Sequence, residues 1–477
     1  MLTAHRVEQI REAEAALAAT VSKGELMKLA ARGLCDFVSG IVEPETPIAA
    51  LIGTGNNGGD ALFAAGLLRR RGFAVDVLFA DPDRMHKPGL AAALAAGASI
   101  VDSPEGYPVV IDGVVGIGGK PGLRGKASQW AAWIERENPT VIAVDLPSGL
   151  AADSGRMPEG FLRADAVVTL GTYKVSSFID PAANVAGGVP KLVDLGLAPF
   201  LGGPALEAIE SADCGAELDR FGPRRDGHKY ARGVVGVAAG SPEFAGAAHL
   251  CVAGAKGGLA GMVRFVGPDE LGRRVVDRAP EVVATRGRVQ AWTIGSGGGD
   301  HAREQLKMAL EDGVPVVVDA DALRFLPEHF DVPALLTPHA GELAAMMGTT
   351  RAEVEADPLG HVEDAARRWG ATVLLKGRRT LIATAGRPTR VNLSGSPWLA
   401  TAGSGDVLAG LSGSILAAGA DPHTAGSVAA YLHGLAATRA NPDGPVTASQ
   451  VADAIPGAIA DAIRAHRNEH HLEGMNR

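Results

Sequence analysis

The fold is decided by one stretch, Pro47-Ile-Ala-Ala-Leu-Ile-Gly-Thr-Gly-Asn-Asn-Gly-Gly-Asp60, in which a short apolar run leads into a polar, glycine-rich turn. The apolar run, residues 47–52, has the length and composition of a buried strand. A helical pattern follows to residue 71, and residues 74–79 again resemble a strand. This order of strand, loop, helix and strand predicts a parallel βαβ unit with a right-handed crossover.

The same alternation continues to about residue 170. Helices are predicted at 7–37 (one or two), 89–96 and 127–137, and strands at 109–112, 141–144 and 166–170. Strands that alternate with helices predict a parallel sheet covered on both faces, which binds ligands at the carboxyl ends of its strands. Because Asp112, Asp145 and Lys174 follow predicted strands as the Gly53 loop does, we expect them to converge on one crevice.

A second series of alternating elements begins at residue 234. Its predicted strands are 234–238, 262–266, 291–294, 315–319, 335–336 and 372–376. Between the two series, residues 197–232 are rich in proline, glycine and charge, as linkers are. A chain of 477 residues is too long for one typical core. We therefore predict two α/β domains, 1–210 and 211–477.

Composition excludes several classes of protein. A net charge of −9 argues against nucleic-acid partners. No uncharged apolar run is long enough to span a bilayer, and residues 1–10 lack the apolar region of a signal peptide. The three cysteines, Cys35, Cys214 and Cys251, have neither disulfide nor zinc spacing. We expect a cytoplasmic protein with no membrane partner, which forms a homo-oligomer.

The loop Gly53-Thr-Gly-Asn-Asn-Gly-Gly-Asp60 offers the chemistry of a binding site. Its glycines expose backbone N–H groups to phosphate, and its amide and carboxylate oxygens suit a hard cation or ribose hydroxyls. The alternative is a tight structural turn. Lys174 is the weakest member of the predicted crevice, because a lone lysine after a strand is usually solvated.

The second distinctive stretch is Ala400-Thr-Ala-Gly-Ser-Gly-Asp-Val-Leu-Ala-Gly410. Small residues lead into a predicted helix, whose N-terminal N–H groups and dipole favour a phosphate or an oxyanion. Asp406 lies where it can accept a proton from a substrate hydroxyl beside that anion. The alternative is that Asp406 serves only as the helix N-cap.

These motifs resemble two known families. Asn56-Asn-Gly-Gly-Asp60, Val144-Asp-Leu-Pro-Ser-Gly149 and the Asp112 loop with Gly122-Leu-Arg-Gly125 resemble the NAD(P)H-hydrate epimerases, over most of residues 1–200. In the second half His228-Lys229, Thr337-Pro-His-Ala-Gly-Glu342, Leu375-Lys-Gly377 with Thr380, and the Asp406 stretch resemble the ADP-dependent NAD(P)H-hydrate dehydratases. Together the halves resemble the bifunctional nicotinamide-nucleotide repair enzymes. The resemblance implies a Rossmann-like αβα sandwich followed by a ribokinase-like αβα sandwich.

For the first half the resemblance implies a substrate site, a cation site and an acid/base residue. The substrate-binding residues would be Asn56, Asn57, Gly58, Gly59 and Asp60, the loop of Gly116, Ile117, Gly118, Gly119, Lys120, Pro121 and Gly122, and Asp145. A potassium ion (K+) would be ligated by Asn57, Asp112 and Ser148. Asp145 would act as general acid/base on the hydrated ring. The chain departs from the family pattern at Ala61, usually glycine, and at Gly118-Gly-Lys-Pro121.

For the second half the resemblance implies a nucleotide site beside a hydrate site. The AMP part of ADP would be bound by Lys376, Gly377, Arg378, Arg379, Thr380 and Gly405. The pocket for the hydrate would be lined by Ala247, Gly297, His339 and Asp406. Asp406 would be the catalytic base. Mg2+ would bridge the ADP phosphates, with Glu342 near it, and ATP could replace ADP. Ser404 stands where the family usually has threonine.

The implied activity is repair of NADHX and NADPHX, the hydrates of NADH and NADPH. The first half would interconvert the R and S hydrates, and the second would dehydrate the S form at the expense of ADP. Two alternatives remain at this stage. The second half could be an ATP-dependent small-alcohol kinase of the same fold, or the protein could be a non-catalytic nucleotide-binding scaffold.

Overall fold

The computed structural model describes residues 1–223 and 228–475, so Arg224, Arg225 and Asp226 of the predicted linker lie outside the described residues. The chain divides into two compact units. The N-terminal unit is Thr3–Leu206, and the C-terminal unit is Glu207–Arg477 with Met1–Leu2. Within the described ranges, no helix combines the length and apolarity needed to cross a bilayer.

The N-terminal unit alternates strands and helices, much as its sequence predicts. Its elements are β1 (Leu2–His5), α1 (Val7–Ala18), α2 (Glu25–Ile41), β2 (Ile48–Ile52), α3 (Asn56–Arg70), β3 (Val75–Phe79), α4 (Lys87–Ala95), β4 (Ser99–Ile100), β5 (Val109–Gly113), α5 (Lys126–Glu137), β6 (Thr140–Val144), β7 (Ala166–Leu170), β8 (Tyr173–Lys174) and β9 (Lys191–Val193).

The main sheet of this unit has the order β4-β3-β2-β5-β6-β7-β9, and all its strands are parallel. Side chains on β2 alternate between two cores because successive residues of a strand point to opposite faces. Ile48, Ala50 and Ile52 pack with residues of α1 to α4. Ala49 and Leu51 pack with residues of α5. The result is a three-layer αβα sandwich.

The C-terminal unit repeats this construction with a longer series of elements. They are β10 (Leu206–Ala208), α6 (Ser211–Phe221), β11 (Val234–Ala238), α7 (Ala245–Gly257), β12 (Met262–Phe265), α8 (Asp269–Arg278), β13 (Ala291–Ile294), α9 (Ala302–Glu311), β14 (Val316–Val318), β15 (Ala334–Leu336), α10 (Ala340–Met347), α11 (Arg351–Ala356), α12 (Pro358–Trp369), β16 (Thr372–Leu375), β17 (Thr380–Ala383), β18 (Thr389–Asn392), α13 (Ser404–Ala417), α14 (Pro422–Ala440) and α15 (Ala448–Met475).

The sheet of this unit runs β12-β11-β13-β14-β15-β16-β17-β18. The strands from β12 to β16 pair in parallel, and β17 and β18 add an antiparallel end. Helix α13 lies directly on the sheet and is buried from Val407 to Ala417. A methyl group at Gly413 would lie 1.8 Å from Thr293 Oγ1, so only glycine permits this close approach.

The parallel strands of the second series are confirmed to within a residue or two at their ends. The strands β17 and β18 were not predicted, although a solvated hairpin was the alternative interpretation of the basic cluster at residues 376–380. Strand β1 was also missed, because four residues at the start of a chain give too short a pattern to recognise.

Two glycines on α2 provide a matched test of the packing in the N-terminal unit. A methyl group at Gly33 would lie 2.5 Å from both Cγ atoms of Val193, whereas nothing lies within 4 Å of one at Gly40. We expect Gly33→Ala to destabilise the unit by about 1–3 kcal/mol through overpacking, offset in part by better helix propensity. Gly40→Ala should be neutral or stabilise by up to about 1 kcal/mol. Denaturant unfolding measures both, and equal midpoints for the two variants would contradict the packing argument.

Candidate active sites

A cavity of about 960 Å³ opens in the N-terminal unit, at the carboxyl ends of β2, β5 and β6. Residues from six segments line it, as expected for a parallel sheet: Arg11, Glu14, Ala15, Ala18, Val21–Met27, Ala30, Thr54–Asn57, Asp60, Val114–Gly119, Asp145, Leu170 and Leu195. The cavity has the size of a typical small-molecule site of about 300–1,000 Å³. The predicted convergence of the Gly53 loop with Asp145 is therefore observed.

The Gly53 loop ends where α3 begins, at Asn56. Asn56, Asn57 and Asp60 line the cavity, whereas Gly58 and Gly59 face the protein interior. A methyl group at Gly58 would lie 2.3 Å from the carbonyl oxygen of Gly53, so this glycine is required for close packing. The structure thus gives Gly58 a packing role, and its predicted substrate contact stays a prediction.

The loop after β5 reaches the cavity through its first half. Gly116, Ile117, Gly118 and Gly119 are among the lining residues. A methyl group at Gly116 would lie 3.0 Å from Asn57 Oδ1, so the loop lies directly against α3. Lys120, Pro121 and Gly122 follow beyond the wall, where Gly122 donates a hydrogen bond to the Gly149 carbonyl at 2.9 Å.

Asp112 and Ser148 form a buried pair beneath this loop. Asp112 accepts hydrogen bonds from the Ser148 hydroxyl at 2.6 Å and from the Ser148 backbone N–H at 2.8 Å. Both residues are fully buried. Burial raises the pKa of Asp112 to about 6, although the bonds from Ser148 oppose that rise. No ion pair joins Asp112 to a lysine or arginine of the described chain.

Asp145 follows β6 with a left-handed backbone, at φ +73°. Its carboxylate forms an ion pair with Lys174 and accepts a hydrogen bond from the Leu170 N–H at 3.2 Å. The expectation that Lys174 is solvated is wrong. Lys174 is fully buried, and its ammonium also donates to Thr169 Oγ1 at 3.0 Å and to the Leu170 carbonyl at 2.9 Å. These partners offset the cost of burying the charge.

Two further acids share the cavity with Asp145. Asp60 is buried on α3, and Glu14 lies on α1. Burial, reinforced by the charge of Asp145, raises the pKa of both carboxyl groups, and that of Asp60 rises well above its usual value. Sequence reasoning missed Glu14, because nothing in the local pattern of an amphipathic helix distinguishes one glutamate that faces a cavity.

In the C-terminal unit a chain of contacts gathers the predicted residues around Lys376. This residue follows β16, and its ammonium lies 2.9 Å from Asp319 Oδ1 and 3.7 Å from Glu342 Oε2. A methyl group at Gly405 would lie 3.4 Å from the same ammonium. Burial alone would lower the pKa of Lys376. The negative charges of Asp319 and Glu342 outweigh burial and raise that pKa. A partly buried, charged lysine thus lies at the N-terminus of α13.

Asp319 organises this centre, although sequence reasoning did not select it. Its other partners are the Ser296 and Thr337 hydroxyls, each of which donates a hydrogen bond of 2.8 Å. These four residues follow β13, β14, β15 and β16, so the carboxyl edge of the sheet brings them together. The one available signal was the position of Asp319 directly after a predicted strand.

Asp406 is the third residue of α13, and the N-cap is Gly403 at φ +84°. The N-cap alternative for Asp406 is therefore excluded. Burial, followed by repulsion from Asp319, raises the pKa of Asp406 to about 7, against the opposing attraction of Lys376. A carboxylate with such a pKa is a stronger base than usual and is poised for proton transfer near neutral pH.

The remaining predicted residues lie in three places around this centre. Ala247 on α7 contacts the Gly297 loop, where a methyl group at Gly297 would lie 2.6 Å from Ala247 Cβ. His339 is the N-cap of α10 and exchanges hydrogen bonds with Glu342. The turn between β16 and β17 contains Gly377, Arg378 and Arg379 and ends at Thr380.

The fold and these two centres define an α/β enzyme with two separate active-site clefts. A model of the YjeF-related protein N-terminus matches residues 23–176, and a model described as NAD(P)H-hydrate dehydratase matches residues 235–456.

Full-length relatives match both halves in the same order. The chain is 40% identical to the bifunctional NAD(P)H-hydrate repair enzyme Nnr of Mycobacterium leprae, over 96% of this chain and 99% of that protein. It is 30% identical to the enzyme of the same name from Hyperthermus butylicus, over 93% and 90% of the two chains. The crystal structure of an ADP/ATP-dependent NAD(P)H-hydrate dehydratase from Bacillus subtilis is 26% identical, with a TM-score of 0.49, over 53% of this chain and 97% of that chain.

The chain therefore belongs to the family of bifunctional NAD(P)H-hydrate repair enzymes, with an epimerase in its N-terminal half and a dehydratase in its C-terminal half. The predicted resemblance is confirmed, and so is the predicted α/β class, with a Rossmann-like parallel sheet in the first half and a largely parallel sheet in the second.

The Asp145–Lys174 ion pair yields a prediction for the epimerase. Lys174→Met leaves a buried carboxylate without its counter-charge, which costs about 3–5 kcal/mol of stability in typical proteins. The carboxylate also loses the partner that fixes its position, so we expect the epimerase rate to fall. Denaturant unfolding measures the loss of stability, and the rate of hydrate interconversion measures the loss of activity.

The control is Lys191→Met, at an exposed lysine of β9. It should leave both the epimerase rate and the stability unchanged. A folded Lys174→Met enzyme with the wild-type epimerase rate would show that the ion pair is purely structural.

Proposed function

We propose that residues 1–210 interconvert the R and S forms of NADHX and NADPHX, and that residues 211–477 dehydrate the S form with ADP. One observation carries this proposal. In the C-terminal centre a raised-pKa carboxylate, Asp406, and a charged lysine, Lys376, lie together at the first turn of α13. This is the arrangement needed to activate a hydroxyl beside a phosphate.

Phosphoryl transfer explains why a nucleotide is needed for a dehydration. Hydroxide is a poor leaving group, and phosphorylation of the hydroxyl converts it into a good one. Asp406 removes the proton from the hydrate's hydroxyl, and that oxygen attacks the terminal phosphoryl group of ADP. The O–P bond forms as the bond to AMP breaks. Phosphate then leaves the ring carbon, a neighbouring carbon loses a proton, and the ring double bond is restored.

Lys376 and the free N–H groups at the start of α13 would hold the transferred phosphoryl group. The ammonium is fixed by Asp319, so it needs no reorientation when charge develops on the phosphoryl oxygens. The AMP part of ADP would lie along the turn from Lys376 to Thr380, with Gly405 beneath it. Mg2+ would neutralise the ADP phosphates, with Glu342 near it. ATP in place of ADP is compatible with the same contacts.

Ala247, Gly297 and His339 would form the wall for the hydrated ring. Ala247 and Gly297 are already in contact, and the Ser296 hydroxyl ties the Gly297 loop to Asp319. The hydrate and the phosphate-binding lysine therefore share one rigid support.

In the epimerase half Asp145 would exchange protons with the hydrate. It is held by Lys174 and faces the same cavity as Asn56, Asn57 and Asp60. The loop from Gly116 to Gly122 would close the substrate side of the cavity. Burial raises the pKa of Asp60 well above its usual value, so Asp60 would serve as the acid beside Asp145.

The potassium site fits the residues that are present. Asp112 is a fully buried carboxylate with hydroxyl and N–H partners but no cationic side chain among the described residues. Asn57 is buried too, and its Nδ2 atom has no partner. Asn57, Asp112 and Ser148 would supply oxygen ligands to K+, which would balance the buried charge and order the Gly116 loop.

A reducing compartment suits this chain. Cys35, Cys214 and Cys251 are all buried free thiols, and burial raises the pKa of each, which keeps them unreactive. We propose a cytoplasmic location on this ground. The homo-oligomer stays a prediction, which light scattering of the purified protein would test.

The first experiment adds both hydrate epimers with ADP and Mg2+ and follows the return of reduced-nicotinamide absorbance. Complete recovery is expected.

Asp406→Asn should lower the dehydration rate by about 10²–10⁴-fold and leave epimerisation intact. Because Asp406 must be deprotonated to act, wild-type dehydration should rise with pH through about 7. Dehydration by Asp406→Asn at the wild-type rate would refute the base assignment, and ATP-dependent phosphorylation of an alcohol without recovery would favour the kinase.

A second experiment tests the potassium site. In wild-type enzyme, K+ should raise the epimerase rate and the unfolding temperature of the N-terminal unit more than Na+ does at equal ionic strength. Asp112→Asn should abolish both responses, because it removes the charged ligand. Asp102→Asn, at an exposed position, serves as the control. Equal responses to the two ions in wild-type enzyme would contradict selective K+ binding.

A further inference from the structure

A second large cavity, of about 770 Å³, lies in the C-terminal unit beside the Lys376 centre. Its wall combines the segment after β14, one side of α10 and the end of α12: Ala320, Asp321, Leu323, Arg324, Leu326–Glu328, His339, Gly341, Glu342, Ala345, Met346, Arg368 and Trp369. We call it the Arg324 groove. Neither Asp406 nor Lys376 is part of its wall.

The groove is linked to the reacting centre by two residues, His339 and Glu342. His339 and Glu342 line it, and the Glu342 carboxylate is 3.7 Å from the Lys376 ammonium. On its far side, Asp321 accepts a hydrogen bond of 2.9 Å from the Gly299 N–H, which fixes the groove to the Gly297 loop. A ligand that passes His339 from the centre therefore enters the groove.

The wall offers two guanidinium groups and apolar surface to a nucleotide, beside the carboxylates of Asp321, Glu328 and Glu342. Arg324 is 76% exposed and lies 3.5 Å from Asp321, which leaves most of its guanidinium open to a ligand. The Arg368 guanidinium stacks 4.7 Å above the Trp369 ring and is also exposed. Leu323, Leu326 and Met346 add apolar surface. Flat guanidinium groups over an apolar floor bind both bases and phosphates.

We propose that the Arg324 groove binds the second nucleotide of the hydrate, its adenosine part with the attached phosphates, and that Arg324 and Arg368 recognise those phosphates. The inference rests on the proposed function. The hydrated ring must reach Asp406, and ADP would fill the side of Lys376 that faces Gly405 and Thr380. The rest of the dinucleotide then leaves the centre past His339. NADPHX carries one phosphate more than NADHX, so the two arginines should contribute more to its binding affinity.

The test is the Arg324→Gln/Arg368→Gln double variant, assayed for dehydration with S-NADPHX and S-NADHX as separate substrates. One charge-assisted hydrogen bond contributes about 1.5–3 kcal/mol, or roughly 10–100-fold in affinity. We expect the KM for S-NADPHX to rise at least about 10-fold by that conversion, with a smaller rise for S-NADHX. The KM for ADP and kcat should stay near wild-type values. Arg351→Gln, at an exposed arginine of α11, is the control.

The outcomes separate cleanly. An unchanged KM for both hydrates overturns the proposal, as does a rise in the KM for ADP alone, which would assign the groove to the nucleotide co-substrate. Equal rises in the KM values for S-NADPHX and S-NADHX would support binding of the hydrate in the groove, but would overturn the proposal that the two arginines favour NADPHX. Wild-type enzyme that dehydrates neither hydrate refutes the proposed function itself, and the groove assignment falls with it.

Discussion

Each unit of this protein places a lysine ammonium against an aspartate at the carboxyl edge of its sheet. Lys174 is fully buried, whereas Lys376 is 20% exposed. A charge removed from water is tolerated only when nearly every donor finds an acceptor. Lys174 satisfies this condition with Asp145, Thr169 and backbone carbonyls. Lys376 pairs with Asp319 and Glu342. Because each aspartate and its lysine lie at the ends of different strands, the ion pair constrains how those strand ends are arranged around each site.

The lysine–aspartate ion pair has a different role in each unit. In the N-terminal unit the lysine pairs with Asp145, the acid that faces the cavity, and burial raises the pKa of Asp60, which lines the same cavity. In the C-terminal unit the lysine pairs with Asp319, which lies behind the site, and Asp406 remains outside the pair. Pairs of acids whose environments differ in this way are how one site supplies both an acid and a base.

Much of the architecture is readable from the sequence, since apolar runs that alternate with amphipathic helices predict parallel strands and place Asp112, Asp145 and Asp406 near strand or helix ends. Other features depend on contacts between distant segments. Glu14 reaches the cavity from α1, which is far in sequence from the Gly116 loop, and no local pattern indicates that it faces a cavity. The burial of Lys174 was predicted wrongly because a lysine is usually solvated unless a partner is known. Asp319 was overlooked because its role is to hold Lys376, and that role exists only once β14 and β16 are folded together.

The raised pKa of Asp406 has two main causes. Burial in the first turn of α13 is the larger, and the negative charge of Asp319 adds to it. Lys376 acts in the opposite direction, because its positive charge favours the ionised carboxylate. Without Asp319 that attraction would be opposed less, so the pKa of Asp406 would be lower and Asp406 would be a weaker base. A base whose pKa of about 7 matches the working pH balances the fraction ionised against the strength of proton abstraction. Asp319 therefore helps to tune the base without needing to touch the substrate.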